Sequence, residues 1–205
     1  MGTTTEKNNN WIIKNAANII TTIRLILSIW LFILVASGNS DLLLMFIIVI
    51  ACGVSDALDG WTARRFNIES EIGGFLDRLA DKIFICPTFI ILTLKYLPQL
   101  DISNFLYSVT ISLVITIIFL EFLLISGGVI GFLRKINTSS NQWGKRKMVV
   151  QSIALFFFFL TLIIEFQKKI KITPLAIYWV DSLLVISIIL TIKSIEGYYK
   201  RFQQS

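Results

Sequence analysis

The sequence predicts an all-α, polytopic membrane protein with six transmembrane helices and an active site at the cytoplasmic side. Three observations carry this. Hydrophobic residues make up 55% of the 205-residue chain, charged ones only 16%, and the mean hydropathy is +0.76; soluble domains run about 45–50% apolar and about 25% charged. The apolar residues gather into stretches near or above ~20 residues, enough to cross a ~30 Å hydrocarbon core. Between these stretches the basic residues are distributed unevenly, which assigns sides to the membrane.

The expected spans are Ile19–Ala36, Leu42–Ala63, Ile72–Leu97, Ile102–Ser126, Met148–Phe166 and Leu175–Ile195. Residues 1–17 precede them as a cytoplasmic or interfacial segment of one membrane domain covering 1–205, with Trp11 and Lys14 at headgroup level. No short apolar core with a small-residue cleavage site occurs near the start, so the first span is expected to serve as the targeting signal. Ser37-Gly38-Asn39-Ser40 and Pro98-Gln99 break the pattern. Pro174 falls where the last helix should begin, and Pro87 predicts a kink in the third span. The run Phe156–Phe159 reads as lipid-facing bulk.

Charge orients the spans. Lys7, Lys14, Arg64, Arg65, Arg134, Lys135, Lys145, Arg146, Lys147, Lys193, Lys200 and Arg201 fall on one side. Lys95, Lys168, Lys169 and Lys171 fall on the other. Twelve against four puts both termini in the cytoplasm, although Lys168–Lys171 runs against the rule. The net charge of +6 is thereby read as topology, and no nucleic-acid partner is expected. Cys52 and Cys86 lie inside apolar stretches and read as buried thiols, and the absence of histidine excludes His-ligated metal and a Ser-His-Asp arrangement.

Four aspartates carry the chemistry. Asp56 and Asp59 are three apart, Asp77 and Asp81 four apart, so each pair shares a helix face. The second and third spans are joined by a short cytoplasmic loop, which lets the four carboxylates converge near the inner membrane surface. Carboxylates at membrane depth are costly and mark function. Uncompensated they repel, so a cation must sit among them. All-oxygen donors suit hard divalent ions such as Mg²⁺ or Mn²⁺. Two such ions ~3.5–4 Å apart form a clamp for phosphoryl or phosphodiester transfer. The bland alternative is an ion network with Arg64, Arg65, Arg78 and Lys82. Gly60, Gly73 and Gly74 interleave with the aspartates and allow close approach of a helix or a ligand.

The stretch reads Asp56-x₂-Asp59-Gly60-x₂-Ala63-Arg64-x₈-Gly73-x₃-Asp77-x₃-Asp81. It resembles the full signature of the CDP-alcohol phosphatidyltransferase family at all eight positions and every gap. The resemblance implies that the hydroxyl of an alcohol attacks the β-phosphate of a CDP-linked lipid and CMP leaves. It also implies that Asp56, Asp59 and Asp77 hold two divalent ions, with Asp81 sharing the site and acting as general base. Gly60, Ala63, Arg64 and Gly73 would line the CDP-lipid side, with Asn18 and Thr21 from the first span.

Within the family, Asn18-Ile19-Ile20-Thr21-x₂-Arg24, Ala80-Asp81-Lys82 and Gly144-Lys145-x-Lys147-x₃-Gln151 resemble segments of the phosphatidylglycerophosphate and cardiolipin synthases. The lysine cluster suits a dianionic acceptor such as sn-glycerol 3-phosphate. For Arg146 the alternative is an anchor touching anionic lipid. Two positions depart from those synthases: Leu120-Glu121 stands where Arg-Glu is usual, and Asp77-Arg78 where Asp-Pro is usual. Arg134 or Arg24 could replace the missing arginine in the acceptor site with Lys145 and Lys147, and Glu121 is expected to pair with a basic loop residue.

The resemblance therefore implies CDP-diacylglycerol and glycerol 3-phosphate as substrates, membrane lipids around them, a bacterial cell membrane as the setting, and compatibility with a homodimer. Phosphatidylglycerol or inositol phosphate are the rival acceptors. A divalent-cation transporter is the rival class, disfavoured because the acidic residues crowd one membrane surface and form no path across.

Overall fold

The computed structural model describes residues 22–34, 37, 41–66, 82–133, 142–167 and 174–203. Among the described residues every regular element is helical and no strand occurs. In chain order these are α1 (Thr22–Leu34), α2 (Leu42–Phe66), α3 (82–91), α4 (Asn104–Leu133), α5 (Gln142–Gln167) and α6 (Leu175–Gln203). A π turn, Leu92–Tyr96, and a 3₁₀ turn, Leu97–Gln99, end α3.

α4, α5 and α6 contain 30, 26 and 29 residues. At a rise of 1.5 Å per residue they are about 39–45 Å long, more than the hydrocarbon core requires. Among the described residues three helical segments, Asn104–Gly131, Gln142–Gln167 and Leu175–Lys200, are long and apolar enough to cross a membrane, and Thr22–Leu34 and Leu42–Ser55 are shorter apolar helices. Large apolar side chains cover the outside, including Phe105, Ile115, Phe119 and Phe122 on α4 and Trp179, Ile186 and Ile189 on α6. Such a surface is stable only against lipid or another protein.

Local chemistry sets the ends. The Leu44 N–H donates to Asp41 Oδ1 at 3.1 Å, capping α2, and the Leu106 N–H donates to Ser103 Oγ at 3.2 Å, capping α4. Pro174 precedes α6 as expected; having no N–H to leave unpaired, it gives its carbonyl to Tyr178 N at 3.1 Å. α3 runs through Pro87 as helix and widens into the π turn five residues later, until Pro98 tightens the chain and Leu100 turns extended. Hydroxyls within the helices donate to carbonyls four residues back, as Ser112 Oγ does to Ser108 O at 2.7 Å and Thr116 Oγ1 to Ser112 O at 2.7 Å. These two exposed hydroxyls thus present no unsatisfied donor to lipid.

The chain divides into two compact units, Met1–Phe84 and Ile85–Ser205. In the first, α1 buries Arg24, Ser28 and Leu31, and α2 buries Leu42, Met45, Ile48, Val49 and Cys52. The Cys52 thiol lies beside Ser28, between the two helices. In the second, α6 packs along both α5 and α4. Its inward row is Ile177, Val180, Asp181, Leu184, Ser187, Thr191 and Ser194, spaced three or four apart except for the adjacent Val180 and Asp181. Tyr96 packs edge-on against Phe166 near the end of α5, with ring centroids 6.3 Å apart.

Two expectations are corrected here. Phe158 and Phe159 are fully buried, whereas Phe156 and Phe157 face outward with their rings edge to face at 5.8 Å. Four consecutive residues span more than one turn of helix, so a continuous aromatic run cannot all face lipid. Among the described residues neither Cys52 nor Cys86 forms a disulfide; Cys52 is buried as expected, whereas Cys86 is only partly buried, because an apolar stretch turns some of its positions outward.

Candidate active site

The first half of the aspartate signature lies on the last turns of α2. On the α2 backbone, positions 56, 59 and 63 recur three and four apart, within one stripe of helical spacing. Asp56, Asp59 and Ala63 occupy those positions, and Gly60 and Arg64 follow Asp59 and Ala63 directly. Positions three apart on a helix stand about 5–6 Å apart at Cβ. Oxygen-only donors at that spacing fit a hard divalent cation. Gly73, Asp77 and Asp81, and likewise Asn18, Thr21 and Arg134, lie outside the described residues.

The described acceptor candidates separate into different environments. Arg24 is 1% exposed on α1, its carbonyl accepting from Ser28 Oγ at 2.8 Å. Lys145 is exposed on the first turns of α5. Lys147, two residues on, is 4% exposed, and its Nζ donates to Glu121 Oε1 at 2.5 Å. The same oxygen accepts from Gln151 Nε2 at 2.9 Å. Glu121 is 2% exposed and stands in the middle of α4. Lys147 and Gln151, four apart, present adjacent donors to it from one face of α5. Glu121 does pair with a basic residue, as expected, but its partner sits within a helix rather than in a loop. An ammonium carries three donors, and Glu121 engages one of Lys147's.

Two features escaped the sequence reading. Asp181 is buried on α6, where Thr110 Oγ1 of α4 donates to its Oδ2 at 3.1 Å. Its signal was a lone carboxylate in an apolar span. Trp143 has two cations over its ring, Arg146 from its own helix and Lys193 from α6, at 5.1 and 4.7 Å from the centroid. No one-dimensional pattern joins residues 143 and 193.

The chain matches the model of the CDP-alcohol phosphatidyltransferases over residues 14–192. It belongs to this family. The CDP-alcohol phosphatidyltransferase match runs across both units and every described helix from α1 to most of α6. A relative from Aquifex aeolicus (strain VF5), named CDP-diacylglycerol–glycerol-3-phosphate 3-phosphatidyltransferase, is 26% identical over 82% of this chain and 93% of its own length. An Arabidopsis thaliana relative, CDP-diacylglycerol–glycerol-3-phosphate 3-phosphatidyltransferase 2, is 46% identical over 48 residues, 23% of this chain and 21% of its own. The chain thus aligns with about a fifth of that relative's length. CDP-diacylglycerol–inositol 3-phosphatidyltransferase 1, also from Arabidopsis thaliana, is 32% identical over 83 residues, 40% of this chain and 35% of its own. Membership in a membrane-enzyme family agrees with the long apolar helices, and the chain is an integral membrane protein.

Proposed function

We propose that this protein transfers the phosphatidyl group of CDP-diacylglycerol to sn-glycerol 3-phosphate, giving phosphatidylglycerol phosphate and CMP. The observation that carries the reading is the complete eight-position signature, opening on the last turns of α2 within a chain of this family. The near full-length likeness to the Aquifex protein, whose name states this reaction, supports the choice of acceptor. The partial likeness to inositol phosphatidyltransferases keeps an inositol-type acceptor as the second reading.

Asp56, Asp59 and Asp77 hold Mg²⁺ or Mn²⁺, with Asp81 at the edge of the same set. When bound, two such ions neutralise the pyrophosphate and polarise the phosphorus that is attacked. Asp81 takes the proton of the acceptor hydroxyl as its oxygen bonds to the β-phosphorus and the bond to CMP breaks. Gly60, Ala63 and Gly73 give the nucleotide close access to backbone, Arg64 holds phosphate, and Asn18 and Thr21 line the lipid side. Lys145 and Lys147, with Arg134 or Arg24, hold the phosphate of the acceptor. In this reading six spans cross a bacterial cell membrane, both termini and the aspartates face the cytoplasm, and two copies pair as a homodimer.

The test uses purified protein with CDP-diacylglycerol and Mg²⁺, each acceptor offered separately, and CMP release measured. Turnover with glycerol 3-phosphate is expected. Turnover with inositol, inositol phosphate or phosphatidylglycerol alone overturns the acceptor, and none with any acceptor overturns the reaction.

A further inference from the structure

Three side chains gather where α5 begins and α6 nears its end. Trp143 is half-exposed on the first turn of α5; Arg146, one turn on, and Lys193, on α6, are exposed and direct their cations at its indole ring. Among the described residues neither cation forms an ion pair, and the nearest acid in sequence, Glu196, is exposed and unpaired with Lys193. Exposed Lys145 and Lys200 add to the positive field. A ring attracts each cation by about 0.5–1 kcal/mol at an exposed site, but the two cations repel one another. An anion bridging them removes that conflict.

Depth selects the anion. The apolar run of α5 begins at Met148, five residues after Trp143, a rise of about 7.5 Å along the helix. On α6 the apolar run ends at Ile192, immediately before Lys193. Both cations therefore lie just outside the hydrocarbon, in the layer that holds lipid phosphates, where tryptophan itself is favoured. Outward-facing Val149 and Ile153 on α5 and Ile189 and Ile192 on α6 continue below the cluster and offer apolar surface to acyl chains.

We propose that Trp143, Arg146 and Lys193 form a binding site for the headgroup of an anionic phospholipid, on the lipid-facing side of the α5–α6 pair. The guanidinium and ammonium grip the phosphodiester while the indole packs on the glycerol backbone. A choline headgroup brings its own cation against Arg146 and Lys193, so the site prefers lipids of net negative charge. This site is independent of the aspartates and of which acceptor the enzyme uses.

The experiment titrates the full chain in dodecyl maltoside with phosphatidylglycerol or phosphatidylcholine of matched chains, counting retained lipids by native mass spectrometry. Saturable preference for phosphatidylglycerol is expected. In the double variant Arg146→Gln/Lys193→Gln the affinity should fall roughly 25-fold, which is about 1 kcal/mol per charge at a membrane surface. The charge-preserving pair Arg146→Lys/Lys193→Arg should keep the preference. Equal retention of both lipids by the native protein overturns the proposal, as does undiminished preference in the double glutamine variant. Loss of the preference in millimolar glycerol 3-phosphate or inorganic phosphate also overturns it, because the cations then serve a soluble ligand.

Discussion

Removing one partner of the Glu121–Lys147 pair should destabilise the protein far more than removing an exposed charge two residues away. The contact is short, 2.5 Å, and the side chains of Lys147 and Glu121 are 5% and 3% exposed, so solvent screens the pair little. Breaking a buried pair by deleting one partner costs about 3–5 kcal/mol, mainly because the surviving charge stays buried and uncompensated. For a protein of this size 1 kcal/mol moves the melting temperature about 2–4 °C, so Glu121→Leu or Lys147→Met should each lower it by about 6–20 °C. Replacing both partners leaves no orphaned charge, and the double variant should recover most of the loss. Lys145→Met is the control and should shift the midpoint by about 2 °C or less, the usual cost at an exposed site being within ~0.5 kcal/mol. The assay is thermal unfolding of purified protein in one detergent. Equal midpoints for Lys147→Met and Lys145→Met would falsify the burial argument, and a double variant worse than either single would remove the pairing.

Four further outcomes follow from the same residues. Asp56→Asn, Asp59→Asn and Asp77→Asn should each abolish CMP release, as should excess chelator; full turnover in chelator sinks the metal assignment, since a two-ion clamp tolerates no lost ligand. Asp81→Asn should cut turnover by ~10²–10⁴ while CDP-diacylglycerol binding survives, and near-normal turnover removes the base role. Lys145→Gln should raise the glycerol 3-phosphate KM roughly ten- to a hundred-fold, the worth of a charge-assisted hydrogen bond, with the CDP-diacylglycerol KM unchanged and Arg201→Gln as control. Thr110→Val should destabilise by about 0.6–1.7 kcal/mol in the same melting assay through the lost bond to Asp181, and no shift would mean that the bond contributes nothing.

The fourth to sixth helices were legible in the sequence because an apolar run near or above 20 residues admits little besides a membrane helix. Their ends were less so. The apolar windows Ile102–Ser126, Met148–Phe166 and Leu175–Ile195 became Asn104–Leu133, Gln142–Gln167 and Leu175–Gln203. Hydropathy reports depth in hydrocarbon, whereas backbone hydrogen bonding carries a helix onward through Lys145–Lys147 and Lys193–Lys200 into the polar layer. For the site, the aspartate spacing was readable because it is local, a matter of one helical turn. Glu121 with Lys147, Asp181 with Thr110 and Lys193 with Trp143 were not, because each joins separate helices and depends on which faces those helices turn together. The bond between Thr110 and Asp181 bridges 71 residues, and nothing in either segment names the other.

The buried pair also bears on how the protein is made. Glu121 is translated 26 residues ahead of Lys147. At about 5–20 residues per second a ribosome takes roughly one to five seconds to cover that distance. For that interval α4 lacks the two donors that α5 brings to Glu121, which favours its staying beside the insertion machinery until α5 emerges. Arrival of α5 then acts as a latch: Lys147 and Gln151 converge on one oxygen, which fixes the axial register of the two helices, and a slip of one turn forfeits both bonds. A ribosome pause placed inside this window should prolong crosslinking of α4 to the insertion machinery.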